Sequence, residues 1–363
     1  MSWATFGWLA AGLVLLTLGG DGLVRGASGI ARRFGISPLM IGLTVVAFGT
    51  SAPELVVSII ATLGGSHAVA VGNVVGSNIF NVLLVLGLCA VVTPLVVAQQ
   101  LVVRDVPVMI AASLLVLFFG LDGRINALEG ALLALGLVWF CWDSLRVSTR
   151  ESPEVKQEYE GAAPAGVAPA GSVGLDAVVL VVSLAALVLG ARWMVDASVT
   201  LARDLGVDEA VIGLTIVAAG TSLPELATSF VATLRGERDI AVGNVVGSCI
   251  FNLLGILGVA SLVSGGALLV APAIESFDLP VMTAVAVACL PLIARGHRIP
   301  RWQGAAFLAY YAAYLLYLVL AEQEHAALAR FSAVMLEFVV PLTAATIVAF
   351  YVSGRSTPSS DGG

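Results

Sequence analysis

The sequence predicts an all-α polytopic membrane protein whose two halves are copies of one another inserted in opposite directions. Three observations carry this. Of 363 residues, 59 % are hydrophobic and only 11 % charged, against roughly 25 % charged in soluble domains, and the mean hydropathy is +1.02. Apolar runs recur along the whole chain at close to the roughly 20 residues a bilayer crossing needs. Finally, the chain matches itself when it is slid by 171 residues.

The runs fall at roughly 6–24, 37–62, 69–93, 105–121, 126–145, 174–194, 208–234, 240–264, 279–294, 302–320 and 331–353. The first has no basic residue before it and no small-residue cleavage site, so it reads as a retained helix and not a signal peptide. With the amino terminus outside, inside segments hold Arg25, Arg32, Arg33, Arg104, Arg146, Arg150, Lys156, Arg235, Arg238, Arg295, Arg298, Arg301 and Arg355. Outside segments hold only Arg124, Arg192, Arg203 and Arg330. This excess of basic residues on one side predicts a multi-pass protein of the cytoplasmic membrane with its amino terminus outside. The polar stretch 146–173 carries Glu151, Glu154, Lys156, Glu158 and Glu160, then an Ala/Pro/Gly tract. Such a composition buries no core and reads as a cytoplasmic linker between halves 1–145 and 174–320. Residues 321–363 add an eleventh helix and a tail.

Several function classes drop out. The net charge of −7 and a pI near 5.0 leave no basic nucleic-acid footprint. Lys156 is the only lysine and stands in Glu-Val-Lys-Gln, so no Gly-Lys-Ser/Thr phosphate loop exists and no nucleotide is expected. No His-Glu-x-x-His pattern occurs. Cys89, Cys141, Cys249 and Cys289 lie singly inside apolar runs and read as packing residues. An enzyme or a bound cofactor is not expected.

The repeat carries the chemistry. IGLTVVAFGTSAPEL (41–55) lies over IGLTIVAAGTSLPEL (212–226), and AVGNVVGSNIFN (70–81) over AVGNVVGSCIFN (241–252). Along 41–87 against 212–258, 31 of 47 positions are identical without a gap. Five spans separate the copies, an odd number, so they enter the membrane from opposite sides. Inverted repeats of this kind build transporters with a site near the bilayer midplane.

Thr50 and Glu54, like Thr221 and Glu225, are four apart and share a helix face. Between them stand Pro53 and Pro224, which break the backbone ladder around Gly49 and Gly220. A buried helix tolerates that break only where something else occupies the freed carbonyls, as a cation does. In the next span Asn73, Ser77 and Asn81 recur every fourth residue, as do Asn244, Ser248 and Asn252, beside Gly72/Gly76 and Gly243/Gly247. Glu54 and Glu225 are the only acidic residues predicted deep in the first ten spans. Each costs a few kcal/mol there, and their joint charge matches one divalent or two monovalent cations. Hydroxyl, amide and carbonyl oxygens are the neutral partners a calcium site uses. Asn73 and Asn244 fit equally well as braces for the broken helices. Glu129, Asp143, Asp21 and Asp278 read as interfacial, as does Glu337 in the last span.

GTSxPE followed by GNxxGSxIxN, present twice, resembles the cation/calcium exchanger superfamily, specifically its prokaryotic sodium/calcium exchangers. The resemblance covers roughly 5–320 and implies ten core transmembrane helices in two inverted five-helix repeats. It implies four ion positions between helices 2, 3, 7 and 8. Carried over by motif, the carboxylates are Glu54 and Glu225, and the hydroxyl ligands Thr50, Ser51, Ser77, Thr221, Ser222 and Ser248. Backbone carbonyls come from Ala47 and Ala218, and the central positions are Asn81 and Asn252. Family members often carry Asp at one of those last two places, as the potassium-dependent exchangers do. Asn at both argues against potassium coupling and against a third titrating carboxylate. The run 331–353, broken by Pro341, lies outside the ten-helix pattern.

The resulting expectation is a sodium/calcium antiporter, its partners calcium, sodium and the lipid bilayer. The nearest alternative is a proton/divalent-cation antiporter, with a glutamate protonated in place of sodium binding. A channel places its charged or carbonyl rings on a symmetric pore, and an inert scaffold needs no matched buried glutamates.

Overall fold

The computed structural model describes residues 3–34, 36–150, 173–204, 218–294, 297–323, 325, 327–336 and 340. The chain enters as α1 (Trp3–Phe34), then a broken helix made of α2 (Leu39–Thr50) and α3 (Ala52–Leu63), which meet at a 43° bend. Next come α4 (His67–Val92) and α5 (Leu101–Gly120), then α6 (Ala127–Arg150). The second half runs α7 (Val173–Asp204), α8 (Ala218–Gly220), α9 (Leu223–Leu234) and α10 (Arg238–Val263). It closes with α11 (Leu279–Ala294), α12 (Arg301–Glu322) and α13 (Ala327–Val334). Among the described residues, seven helices are long and apolar enough to cross a membrane, or eight with the bent pair.

Helices 1 and 7 outrun their apolar stretches by a turn or more, and charged residues of α1 find partners. Asp21 pairs with Arg25 one turn on and with Arg235 at the end of α9, and Arg33 Nε reaches Asp176 at 2.8 Å. Gly12, Gly19 and Gly26, seven residues apart, form a seam along which α1 meets α7. A Cβ at Gly12 would stand 2.8 Å from the Gly190 carbonyl, at Gly19 3.0 Å from that of Ser183, and at Gly26 3.0 Å from that of Asp176. As numbers rise on α1 they fall on α7, so the two run antiparallel, and only glycine permits backbones this close.

The predicted linker starts later than its composition suggests, since 146–150 continue α6. Residues 151–172, and most of the predicted eleventh span, lie outside the described residues. At the start of α6 the turn is held locally: Asn126 Oδ1 accepts from the Leu128 and Glu129 amides, and Glu129 Oε2 accepts from the Asn126 amide. This reciprocal cap is a local reason for the helix to begin there.

Two short antiparallel ribbons tie the halves together. β1 (Leu95–Val96) pairs with β4 (Arg298–Ile299), and β2 (Arg124–Asn126) with β3 (Ala267–Leu269). Exchanging the halves exchanges the two ribbons. α4 and α10 sit at the centre with most of their residues buried, while α6, α7 and α12 turn leucines, valines and tryptophans such as Leu135, Val138, Trp139 and Val181 outward. Exposed apolar flanks around a buried polar centre suit a lipid surround.

The first spans pack unequally on the broken helices. α1 lies along α9, where a Cβ on Gly20 would stand 3.0 Å from the Ala227 carbonyl. Its counterpart α7 borders a groove of about 640 Å³ against the end of α2 and the start of α3, lined by Val45, Phe48, Ala52, Leu184, Val188 and Arg192.

Candidate functional site

Both broken helices fold around their proline. Ser51 (φ −80°, ψ 4°) and Ser222 (φ −90°, ψ 7°) leave helical geometry, and proline occupies the first turn of α3 and of α9. Proline is at home there because that N–H has no helical partner in any case. The Ala47 carbonyl is not left free: it accepts from the Ser51 amide at 3.0 Å and from Thr50 Oγ1 at 3.3 Å. The break places Glu54 and Glu225 in the first turn of the following helix, where the helix dipole favours negative charge.

The structure brings most of the residues named from the motifs into one buried cluster. Thr50, Ser51, Glu54, Ser77, Asn81, Ser222, Glu225, Ser248 and Asn252 are all buried. Their bonds run between the halves. Ser51 Oγ donates to Glu225 Oε1 at 3.0 Å, and Ser222 Oγ to Glu54 Oε1 at 2.9 Å. Thr50 Oγ1 donates to Asn244 Oδ1 and Thr221 Oγ1 to Asn73 Oδ1, both at 3.1 Å. Ser222 Oγ also lies 2.9 Å from Ser77 Oγ, and Thr50 Oγ1 3.5 Å from Ser248 Oγ. The serine–glutamate pairs map onto each other when the copies are exchanged, and so do the threonine–asparagine pairs; the two hydroxyl–hydroxyl contacts differ between the halves. Of the two residues expected to contribute backbone carbonyls, Ala47 begins the last turn of α2, and Ala218 opens α8 at the matching place.

Asn73 and Asn244 are braces. Each amide donates to the carbonyl of the glutamate on its own half and to a serine one turn on: Asn73 to Glu54 and Ser58, Asn244 to Glu225 and Ser229. They hold the start of α3 and α9 against α4 and α10. Close approach of α2 and α10 depends on Gly243 and Gly247, whose Cβ positions would lie 3.0 Å from the Leu39 carbonyl and 2.6 Å from that of Leu43.

Among the described residues, four buried side chains keep oxygens without a hydrogen-bond partner at this centre: Glu54 Oε2, Glu225 Oε2, Asn81 Oδ1 and Asn252 Oδ1. A buried unsatisfied polar atom costs about 1–3 kcal/mol, more for a charged one. A hard cation bound by carboxylate and neutral oxygens removes that cost and balances the charge. No cluster of three or more His, Cys, Asp or Glu that could hold a metal ion forms among the described residues; the polar side chains gathered at this centre are carboxylates, hydroxyls and amides.

Three features went unread in the sequence. Asn81 and Asn252 stand in π-helical turns, Phe80–Leu86 and Phe251–Ile256, an irregularity that recurs at functional sites. Asn78 and Asn252 join across the halves, with Asn252 Nδ2 3.2 Å from Asn78 Oδ1. Asp105 is a third fully buried carboxylate, though it lies near the start of its span. It sits one turn into α5 beside Arg104 Nε at 3.2 Å, and the same Arg104 reaches Asp143. The arginine next to it in sequence offsets its charge, and it takes no part in the central cluster. Of the other carboxylates read as interfacial, Asp278 accepts from Tyr314 at 2.9 Å, while Glu337 lies outside the described residues.

The chain is similar to known proteins over most of its length. The family model described as sodium/calcium exchanger protein matches residues 4–144 and 175–320. The chain is 40 % identical over 306 residues to the putative antiporter CaxA of Alkalimonas amylolytica, covering 83 % of this chain and 94 % of that one. It is 34 % identical over 341 residues to the sodium/calcium exchanger MaX1 of Methanosarcina acetivorans, covering 85 % and 97 %. Solved structures of the sodium-calcium exchanger NCX_Mj superpose with a TM-score of 0.72 at 32 % identity, over 86 % of this chain and 97 % of that one. With both motif copies inside the matched segments and the folds superposable, the chain belongs to the sodium/calcium exchanger protein family.

Proposed function

We propose that this protein is a secondary active transporter that exchanges sodium for calcium across the cytoplasmic membrane by alternating access. Its ten core helices form two inverted five-helix repeats, with the amino terminus outside and the segment 151–172 as a cytoplasmic linker. The observation that carries the reading is the pair of buried glutamates, each bound through one oxygen to a serine of the other half and keeping its second oxygen without a partner among the described residues. Two carboxylates neutralise one calcium ion. Sodium ions drawing on the same oxygens displace it, so one cargo excludes the other and transport stays coupled.

Around the carboxylates, Thr50, Ser51, Ser77, Thr221, Ser222 and Ser248 supply hydroxyl oxygens, Ala47 and Ala218 carbonyls, and Asn81 and Asn252 amide oxygens. None adds charge, which suits a site that must release its ion as well as take it. Calcium uptake into proteoliposomes under sodium, proton or potassium gradients imposed one at a time tests this. Uptake driven by sodium alone is expected. Uptake driven by protons and indifferent to sodium would overturn the sodium assignment in favour of a proton/divalent-cation antiporter.

A further inference from the structure

The second motif is written twice with one difference: GNVVGSNIFN in the first copy, GNVVGSCIFN in the second. Asn78 therefore faces a cysteine, Cys249, at its own position in the other half. Both are buried. Asn78 Nδ2 points to two atoms that only accept, the Cys249 carbonyl at 3.5 Å and Met282 Sδ at 3.7 Å. That fixes the Asn78 amide, so its oxygen faces Asn252, whose Nδ2 donates to it at 3.2 Å. With its NH₂ engaged, Asn252 is left presenting its oxygen, which has no other partner among the described residues.

Asn81 occupies the matching place without this support. Neither its amide nitrogen nor its oxygen has a partner among the described residues, and the cysteine at the supporting position is a weak acceptor and a weak donor. An amide serves a cation only through its oxygen, so its NH₂ must be turned away and satisfied. One half does this and the other does not.

We propose that Asn78 is a positioning residue that fixes Asn252 as an oxygen donor to the transported cation, while Cys249 leaves Asn81 unheld, giving the exchanger one preset and one adaptable central position. This rests on the cation site proposed above and adds a specificity-determining residue to it.

A double-mutant cycle in the reconstituted full-length protein tests this, reading the apparent KM for calcium and the maximal rate separately. Asn252→Ala is expected to raise KM about ten-fold and Asn78→Ala about five-fold, the scale of one lost hydrogen bond. The double variant should be no worse than Asn252→Ala alone, because Asn78 acts only through Asn252. Multiplying effects, or an unchanged KM in Asn78→Ala, would overturn the proposal. A wild-type KM in Asn252→Ala would instead remove the site reading beneath it.

Should Asn78→Ala fail to fold, the exchange variant Asn78→Cys/Cys249→Asn keeps both side chains and moves the support to the other half. In that background Asn81→Ala should become the more damaging of the two alanine changes. Unchanged dominance of Asn252→Ala would overturn the proposal.

Discussion

Replacing Gly247 by alanine tests whether close contact between α10 and α2 sets the ligand geometry. The new Cβ would lie 2.6 Å from the Leu43 carbonyl oxygen, 2.9 Å from Leu43 Cα and 2.8 Å from Ala47 Cβ. Ordinary contacts begin near 3.4 Å, so the helices must part by roughly 0.8 Å, the difference from 2.6 Å. The obstacle is backbone and a methyl group, neither of which can rotate away. Overpacking of this kind costs about 1–3 kcal/mol. The segment pushed away carries Ala47 and Thr50, while calcium–oxygen distances span only about 0.3 Å. Charged wholly to binding, the cost is about 5- to 150-fold in affinity at 1.4 kcal/mol per ten-fold. The assay is sodium-driven calcium uptake in proteoliposomes, with Gly7→Ala as control, since nothing lies within 4 Å of that position. Wild-type KM and rate in Gly247→Ala would refute the idea that this contact holds the site in register.

Glu54→Gln and Glu225→Gln should each abolish calcium exchange at near-normal expression, because one carboxylate cannot neutralise a divalent ion in a low-dielectric site; near-normal uptake in either would sink the assignment. Asn81→Asp or Asn252→Asp should make transport more pH-dependent or sensitive to potassium, and an unchanged profile in both would mean these side chains do not face the ions. Cysteines placed at Ser66, after α3, and at Glu237, after α9, should react with an impermeant reagent from opposite faces of the membrane. Labelling of both from one face would contradict the inverted arrangement.

The sequence is most informative where function constrains residues close together in the chain. The series Asn73, Ser77, Asn81 recurs every fourth residue by spacing alone, Thr50 and Glu54 stand on either side of the break between α2 and α3, and the second copy repeats both. Which residues meet across the halves depends on how distant helices align, which no local pattern encodes. The Asn78–Asn252 contact, the pairing of Arg235 with Asp21 and the burial of Asp105 all belong there. Helix ends were misjudged for a related reason. The first apolar run stops before Arg25, yet α1 continues to Phe34 because Asp21 and Asp176 offset its arginines. The π-helical turns at Asn81 and Asn252 leave no sign that period or composition would reveal.

Each carboxylate takes its hydroxyl partner from the opposite half, and this has a thermodynamic consequence. An ion that draws Glu54 toward itself competes with Ser222 for that oxygen, and one that draws Glu225 competes with Ser51. Occupancy and the relative placement of the halves are therefore linked variables. Whatever free energy the ion spends in shifting that placement is the amount by which the shift changes its affinity. In the cation site proposed above, neither half alone possesses an affinity to be altered, because each half supplies only part of the ligand set. Loading and movement are two readings of a single balance struck along the boundary between the halves.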